Sequence, residues 1–337
     1  MTPLSVDIDD VREARSLIRN EIRHTPLTPA GALSADTGLE VFLKLETLQE
    51  TGSFKVRGAT NRMLRLSPAE RRRGVVTVST GNHGRAVAHA AARLGIPAVV
   101  CMSTLVPGNK IQAIEALGAE IRIAGDNQDE AGHEAARLVE EQAMTLVPPF
   151  DDPHVIAGQG TIGLEIHEDL PEPDAIIVPL SGGGLIGGVA AATKALAPRA
   201  RVIGVTMDRG AAMFESLKAG HPVEVEELPT LADSLGGGIG PDNRHTFRLV
   251  RELVDDVVLV SEAEIAAAMG YIFRTAGLVT EGAAAVGVAA LMTGRISDLA
   301  GAVVVVLSGR NVDPDRFIEI VTRAGEVPVP SPRRDSG

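Results

Sequence analysis

One lysine stands out among the residues that could carry chemistry. The chain contains 32 lysines and arginines together, and only five of them are lysines. Lys55 is one of the five and lies in the run Ser-Phe-Lys-Val-Arg-Gly-Ala at residues 53–59. Arginine stays protonated in proteins, whereas a desolvated lysine amine can act as a nucleophile. Lys55 is therefore a candidate nucleophile, with an ordinary surface lysine as the alternative.

A glycine-rich turn is the strongest local motif. Residues 181–188 read Ser-Gly-Gly-Gly-Leu-Ile-Gly-Gly, and they follow an apolar run at 175–179 and open an alanine-rich segment. Glycines at a strand-to-helix turn let backbone N–H groups converge on an anion, and the helix dipole adds to the attraction. The turn lacks the Gly-Lys-Ser/Thr ending of a nucleotide loop and the spaced dinucleotide pattern. It predicts a small phosphate site, with a ligand-free tight turn as the alternative.

Two further polar turns follow apolar runs. Residues 79–84 read Ser-Thr-Gly-Asn-His-Gly after the run at 75–78, and Ser308 follows the run at 303–307. In open α/β sheets, ligands bind at the carboxyl ends of strands. The first turn would suit a carboxylate, although capping of the next helix explains the same residues. Ser308 could present its hydroxyl to a ligand, although Ser-Gly is also a common turn.

The pattern around these turns predicts the elements that hold them. Short β-branched runs alternate with longer alanine-rich segments of helical spacing, and several runs are apolar on successive residues, as in strands covered on both faces. This alternation predicts parallel sheets in an α/β protein. Residues 148–153 are a candidate domain crossover. The predicted strands lie at 41–44, 75–78, 98–102, 120–123, 175–179, 201–206 and 303–307.

Composition and charge exclude several classes of function. The net charge of −12 argues against nucleic-acid binding and against docking on an anionic membrane. The N-terminus has no signal-peptide pattern and no apolar run approaches a membrane span, so a cytoplasmic location is predicted. The single cysteine, Cys101, rules out an intrachain disulfide and reads as a buried, inert thiol. No Cys/His cluster has metal-ligand spacing, so no metal is predicted.

The lysine, the phosphate turn and the polar turns together match a pyridoxal phosphate enzyme. Residues 44–46 and 52–59 closely resemble the tryptophan-synthase-like group of these enzymes, called fold type II. Within that group the chain resembles the threonine/serine dehydratase and serine racemase family, from about His24 to Asp313. Residues 79–84, 150–161 and 181–188 add to the resemblance, and several spaced motifs in order are more specific than any one.

The resemblance implies a fold and a domain organisation. It implies two open, mostly parallel sheets flanked by helices, with a small domain inserted in a larger one and the cofactor in the cleft between them. Residues 1–66 plus 152–325 would form the large domain and residues 67–151 the small one. The segment 326–337 is predicted to be a disordered tail, because its composition cannot bury much apolar surface.

The resemblance also implies a role for each candidate residue. Lys55 would be the Schiff-base lysine and the base that removes the α-proton, with Phe54 beside the cofactor ring. Asn82 would hydrogen-bond the cofactor's ring oxygen, and Ser308 would face the pyridine nitrogen. The phosphate would be held by Ser181, Gly182, Gly183, Gly184 and Leu185. The substrate carboxylate pocket would be lined by Ser79, Thr80, Gly81 and His83.

Departures from the family pattern bear on the substrate. Thr80 lies where racemases carry a serine on the face opposite the lysine, so a catalytic role in racemisation stays open. Thr206 replaces the glutamate of metal-binding relatives, which argues against a cation site. Arg310 replaces a usual glycine and could recognise a second acidic group on the substrate. Residues 107–113 and 235–244 resemble the branch associated with hydroxyectoine utilisation.

The resemblance predicts a pyridoxal phosphate-dependent ammonia-lyase, or dehydratase, that acts on a small amino acid. It would eliminate the β-hydroxyl of a threonine- or serine-like or hydroxyectoine-derived substrate, giving a 2-keto acid and ammonia. A homodimer is predicted as the assembly. The alternatives are an amino-acid racemase with side elimination, a β-replacement enzyme, and a non-catalytic protein that binds the cofactor or a metabolite.

Overall fold

Two sheets organise the chain. The structure is a computed structural model, which describes residues 3–79, 81–104, 106 and 108–324. The larger sheet has six strands in the order β1-β2-β10-β7-β8-β9, and the smaller has four in the order β5-β4-β3-β6. The strands are β1 Leu27–Pro29, β2 Glu40–Leu45, β3 Val75–Val78, β4 Ala98–Met102, β5 Glu120–Ile123, β6 Thr145–Leu146, β7 Ala175–Pro179, β8 Arg201–Met207, β9 Asp256–Val260 and β10 Ala302–Leu307.

Helices flank both sheets. They are α1 Ile8–Ile18, α2 Gly31–Thr37, α3 Lys55–Leu64, α4 Pro68–Arg73, α5 Asn82–Leu94, α6 Gly108–Glu115, α7 Gln128–Gln142, α8 Pro153–Asp169, α9 Gly184–Leu196, α10 Ala212–Ala219, α11 Thr246–Leu253, α12 Glu262–Ala276, α13 Gly282–Met292 and α14 Pro314–Arg323. Short 3-10 turns at Glu46–Leu48 and Asp233–Leu235 complete the set.

The strand pairing is parallel in both sheets except for β1, which runs antiparallel to β2. The predicted α/β architecture with two open, mostly parallel sheets is confirmed. The boundaries of the two domains stay predictions, and the predicted tail at 326–337 lies outside the described residues. All seven predicted strands are present, and β1, β6 and β9 were missed.

The core of the larger sheet is built from small and aliphatic side chains, as an aromatic content of 2% requires. Every residue of β7 is buried, and α13 is buried along its whole length against the sheet. This helix approaches the sheet closely. A Cβ atom at Gly287 would lie 2.7 Å from Val305 Cγ1, so any larger residue there would force the strand side chain to shift. Close packing of this kind transmits the position of one element to the next.

A cluster of four buried charges joins the end of β2 to helices α3 and α8. Arg57 contacts Glu46 Oε1 at 2.8 Å and Glu165 Oε1 at 2.7 Å, and the side chains of all three are fully buried. Lys44 Nζ lies 2.8 Å from Glu165 Oε2 and is equally buried. Burial alone would raise the pKa of Glu165, but Arg57 and Lys44 together lower it to about 2. The cluster is therefore two cations and two carboxylates whose charges balance.

Removing one carboxylate from this cluster should destabilise the protein. Glu165→Gln should lower the free energy of unfolding by about 3–5 kcal/mol, because it leaves two buried cations with one carboxylate. Urea titration measures the change. The matched control is Glu168→Gln, because the carboxylate of Glu168 is half-exposed and pairs with Arg15. This variant should lower the free energy of unfolding by no more than about 1 kcal/mol. Equal urea midpoints for the two variants would contradict the stabilising role of the cluster.

Candidate active site

The backbone around Lys55 is fastened to the carboxyl end of β10. The N–H of Phe54 donates to the carbonyl of Ser308 at 3.0 Å, and Ser53 forms an isolated β-bridge with Gly309. Helix α3 begins at Lys55 itself. The turn before it needs Gly52, whose φ is 76° and whose Cβ position would lie 2.5 Å from an Asn311 oxygen. The lysine is thus held where a strand of the larger sheet ends.

The amine of Lys55 has the properties of a nucleophile and a base. Its Nζ donates to the carbonyl of Pro149 at 2.7 Å, and the side chain lines a cavity of about 750 Å³. Burial lowers the pKa of Lys55 to about 8, against a partial opposing effect of the Glu281 carboxylate. Part of the amine is therefore neutral near pH 7, as nucleophilic and general-base catalysis require.

The glycine-rich turn forms one wall of the same cavity. Strand β7 ends at Pro179, and α9 begins at Gly184 after Gly183, whose φ is 87°. The N–H groups of the first helical turn have no partners within the helix, and the helix dipole makes this end positive. A Cβ atom at Gly182 would lie 2.5 Å from the Phe150 ring, so packing requires glycine at 182 while backbone conformation favours it at 183. The turn can therefore act as a cradle for a phosphate-sized anion.

The structure brings most of the predicted site residues to this one cavity. Thr80 lies outside the described residues. Arg310 is exposed, donates to the carbonyl of Thr47 at 2.7 Å and is not among the residues that line the cavity. The lining includes Phe54, Lys55, Ser79, Gly81, Asn82, His83, Ser181, Gly182, Gly183, Gly184, Leu185 and Ser308.

These residues fit pyridoxal phosphate. A nucleophilic amine, a phosphate-sized cradle and a neutral hydroxyl at Ser308 line one cavity, and no nucleotide motif competes for the cradle. The cavity also lies at the carboxyl ends of strands from both sheets, where open α/β proteins bind ligands. The individual contacts of each residue with the cofactor stay predictions.

Sequence reasoning missed Glu281, which is buried against Asn82. The Asn82 amide Nδ2 donates to both Glu281 oxygens, at 2.8 and 3.0 Å, and its Oδ1 accepts from Asn311 Nδ2 at 2.6 Å. Burial raises the pKa of Glu281 to about 7, although the hydrogen bond from Asn82 opposes the shift. A signal was present in the sequence, because Glu281 directly precedes the apolar segment 282–292, which must be buried. The carboxyl fixes the orientation of the Asn82 amide.

His83 is held as a neutral imidazole. Its Nε2 lies 2.9 Å from the carbonyl of Val147, which can only accept, so Nε2 carries the proton. Burial, with a contribution from Lys55, lowers the pKa of His83 to about 3. The remaining nitrogen, Nδ1, is then an acceptor and cannot donate to a carboxylate. Any contribution of His83 to an anion pocket must come from its backbone N–H.

The described residues offer little support for other kinds of site. Within them, no group of three His, Cys, Asp or Glu side chains could hold a metal ion. Thr206 donates to the sulfur of Met207 at 3.2 Å. Cys101 is buried, and burial raises the pKa of its thiol to about 11, as expected for an inert thiol. No helix in this part of the chain is long and apolar enough to span a membrane.

The fold and this cavity define an enzyme of the fold type II group that uses pyridoxal phosphate. Residues 18–309 match the family described as pyridoxal-phosphate dependent enzyme, and the chain belongs to that family. The predicted cofactor and the predicted class of enzyme, a pyridoxal phosphate-dependent lyase, are confirmed by the relatives.

Three curated relatives are similar over nearly the whole chain. A provisionally named threonine dehydratase of Sinorhizobium fredii is 53% identical over 94% of this chain and 96% of its own length. The L-threonine ammonia-lyase of Thermotoga maritima is 44% identical over 94% of this chain and 79% of its own length. The catabolic L-threonine dehydratase of Escherichia coli K12 is 42% identical over 94% and 96%.

Solved structures agree with the family. Maize serine racemase has a TM-score of 0.89 at 34% identity, covering 95% of this chain and 98% of its own. The processed form of threonine deaminase isoform 2 from Solanum lycopersicum has a TM-score of 0.86 at 35% identity, covering 96% of both chains. The similar structures therefore include both a racemase and a deaminase.

The raised pKa of Glu281 should appear as a pH dependence of stability. The folded protein binds this proton more tightly than the unfolded chain does, so its contribution is complete below pH 4.5 and is lost as pH rises through about 7. Relative to the wild type, Glu281→Gln should therefore gain stability between about pH 5.5 and about pH 8. Urea unfolding of both holoenzymes across this range measures the difference.

The control for this prediction is Glu264→Gln. The pKa of Glu264 is lowered, because contacts with Arg295 and Ser261 outweigh the effect of burial. Glu264 is therefore ionised in both the folded and the unfolded state over this pH range. Its replacement should not change how the free energy of unfolding depends on pH. If the free energies of unfolding of the wild type and Glu281→Gln differed by the same amount at every pH, Glu281 would not titrate in this range.

Proposed function

We propose that the protein is an ammonia-lyase of the dehydratase type, acting on a threonine- or serine-like β-hydroxy amino acid. One observation carries the proposal: the Lys55 amine, with a pKa lowered to about 8, lines the same cavity as a phosphate-sized cradle and a neutral Ser308 hydroxyl. The names of the relatives, L-threonine ammonia-lyase and L-threonine dehydratase, support this class of substrate.

When bound, pyridoxal phosphate supplies the electron sink that makes the α-proton of an amino acid acidic. Lys55, with its lowered pKa, is the base that accepts this proton. Ser308 would offer a hydroxyl to the pyridine nitrogen, and a hydroxyl would not keep that nitrogen protonated as a carboxylate would. This choice would favour prompt loss of the β-hydroxyl over transamination. The first-turn N–H groups of α9 would hold the phosphate.

The reaction balances without an oxidant or a reductant. The α-proton and the β-hydroxyl leave the substrate as one water molecule, and the enamine product rearranges to an imine. Hydrolysis of the imine takes up one water molecule and releases ammonia and the 2-keto acid. The chain's residues therefore need to bind the substrate, hold one proton at Lys55 Nζ and deliver it to the leaving hydroxyl or the product.

The substrate's α-carboxylate belongs at the turn that opens α5. Ser79, Gly81, Asn82 and His83 line the cavity there, and the N–H groups at this helix end attract an anion. A neutral His83 suits this role, because its backbone donates while its ring stays fastened to Val147. The hydroxyectoine-derived substrate, the homodimer and the cytoplasmic location stay predictions.

An amino-acid racemase with side elimination is the second candidate. The similarity to maize serine racemase supports it. Racemisation needs a second proton carrier on the face opposite Lys55, and Thr80 is the predicted residue. Chiral analysis after incubation with L-serine separates the two activities. A racemase would form D-serine, and Thr80→Ala would remove that product while sparing ammonia release.

Replacing Lys55 should remove both the cofactor linkage and the turnover. Lys55→Ala should abolish the visible absorption of the lysine-linked cofactor and lower keto-acid release by at least about 100-fold. Keto acid is measured with L- and D-serine, threonine and 3-hydroxyaspartate. Lys218→Ala is the control, since this exposed lysine pairs with Glu215 on the surface. Undiminished keto-acid release by Lys55→Ala would overturn the mechanism.

A further inference from the structure

A second cation lines the cavity beside Lys55. Arg85 lies in the first turn of α5, three residues after Asn82, and its side chain is half-buried. Its Nη1 donates to Asn311 Oδ1 at 3.2 Å. Among the residues that the structure describes, no carboxylate oxygen lies within 4.0 Å of its guanidinium. A guanidinium carries five N–H donors, so most of them remain for a ligand.

Other arginines near the site are neutralised by carboxylates. Arg57 is shared by two buried glutamates, and Arg62 lies 3.2 Å from Asp152. On the same helix as Arg85, Arg93 lies 2.8 Å from Glu21. A guanidinium that faces a cavity without such a partner is a recognition element for carboxylates, because its planar donors match their geometry.

The acidic groups around the cavity do not cancel this charge. Both oxygens of Glu281 accept from the Asn82 amide, and burial raises the pKa of this carboxyl to about 7. Glu224, Glu227 and Asp233 also line the cavity, but they are exposed, so water and salt screen them. Burial lowers the pKa of Arg85, and the charge of Glu281 opposes this effect only in part. Since no described carboxylate pairs with the guanidinium, a further carboxylate brought by a ligand would meet a cation without an ion-pair partner.

The cavity also has room for a longer substrate side chain. The lining includes residues 236–238, three glycines in succession. A Cβ atom at Gly238 would meet nothing closer than the Gly240 nitrogen at 3.9 Å, and its φ does not require glycine. Neither packing nor backbone conformation explains this glycine, and its effect is to leave the cavity open.

We propose that Arg85 determines substrate choice by binding a second carboxylate on the substrate's side chain. The preferred substrate is then a dicarboxylic β-hydroxy amino acid rather than threonine. This assignment rests on the proposed function, since it extends the same elimination to a substrate with one more charge. The resemblance suggested Arg310 for the recognition of a second acidic group, but Arg310 does not line the cavity.

Binding of unreactive amino acids tests Arg85 separately from the elimination. L-Aspartate and L-2-aminobutyrate lack a β-hydroxyl, so neither can be dehydrated, and both can be titrated into the holoenzyme by the change in cofactor absorption. The wild type should bind L-aspartate more tightly. Arg85→Gln should weaken the binding of L-aspartate by about 10- to 100-fold and the binding of L-2-aminobutyrate by less than about 3-fold. The reason is that only L-aspartate loses charge-assisted hydrogen bonds in this variant.

The control variant is Arg93→Gln, which changes the same side chain on the same helix but at the surface ion pair with Glu21. It should leave both affinities unchanged. Glutamine at position 85 can still donate to Asn311, so the contact with that side chain is retained. An equal loss for both ligands in Arg85→Gln would overturn the proposal, because Arg85 would then act by positioning Asn311 and Asn82. A wild-type preference for L-2-aminobutyrate would overturn it too.

Turnover gives the second measurement. The wild type should show a higher kcat/KM for 3-hydroxyaspartate than for L-threonine, and Arg85→Gln should reverse that order. If no β-hydroxy amino acid released keto acid while the binding pattern held, the proposed elimination would fail and the role of Arg85 would stand. If the wild type turned over both substrates but Arg85→Gln lowered kcat/KM equally for both, the proposed elimination would stand and the proposed role of Arg85 would fail.

Discussion

A single buried guanidinium connects the parts that the site depends on. Arg57 lies two residues after Lys55 and contacts Glu46, directly after β2, and Glu165, near the C-terminal end of α8. An uncompensated charge at this depth would cost several kcal/mol, so any displacement of α3 that separated these groups would be strongly unfavourable. The same contacts that balance charge therefore fix the start of α3, and with it the amine of Lys55.

Around that fixed point, burial acts on each ionisable group in the direction of its neutral form. It lowers the pKa of Lys55 to about 8 and of His83 to about 3, and it raises that of Glu281 to about 7. Burial also lowers the pKa of Arg85, but a guanidinium keeps its proton even when partly buried. The cavity therefore contains groups that can exchange protons, which suits proton transfer, and one group whose charge is permanent, which suits the binding of an anionic substrate group.

Much of this arrangement could be predicted from sequence, since its signals are local. The phosphate cradle, the turn at 79–84 and Ser308 each follow an apolar strand directly in the chain. Strands β1 and β6 were missed because three and two residues carry too little periodicity. The edge strand β9 was missed although residues 257–260 form an apolar run, because charged residues precede it closely. The apolar segment after Glu281 indicated its burial, but its role could not be predicted because its partner, Asn82, lies 199 residues away. Only the fold brings the two together.

The contrast between Arg310 and Arg85 shows a further limit of sequence reasoning. Arg310 lies in a turn that reaches the cavity, yet successive residues of a turn point in different directions, and its side chain is directed to Thr47 while Ser308 and Asn311 line the cavity. Arg85 directly follows a motif whose residues are accounted for as helix caps and predicted ligands. Nothing in the sequence around it therefore indicated a separate role for Arg85. Its position became informative only once the carboxylates around it were known to be exposed or occupied.

In the proposed assignment, chemistry and substrate choice come from different sheets. Lys55, Ser308 and the phosphate cradle follow strands of the larger sheet, whereas Asn82, His83 and Arg85 lie on the helix that follows β3 of the smaller one. A change at position 85 can then alter which amino acid binds without moving the amine that accepts the proton. Asn82 is joined to Glu281 and to Asn311, and Arg85 is joined to Asn311, so these hydrogen bonds connect the helix that carries Arg85 to the part of the larger sheet where Lys55 lies.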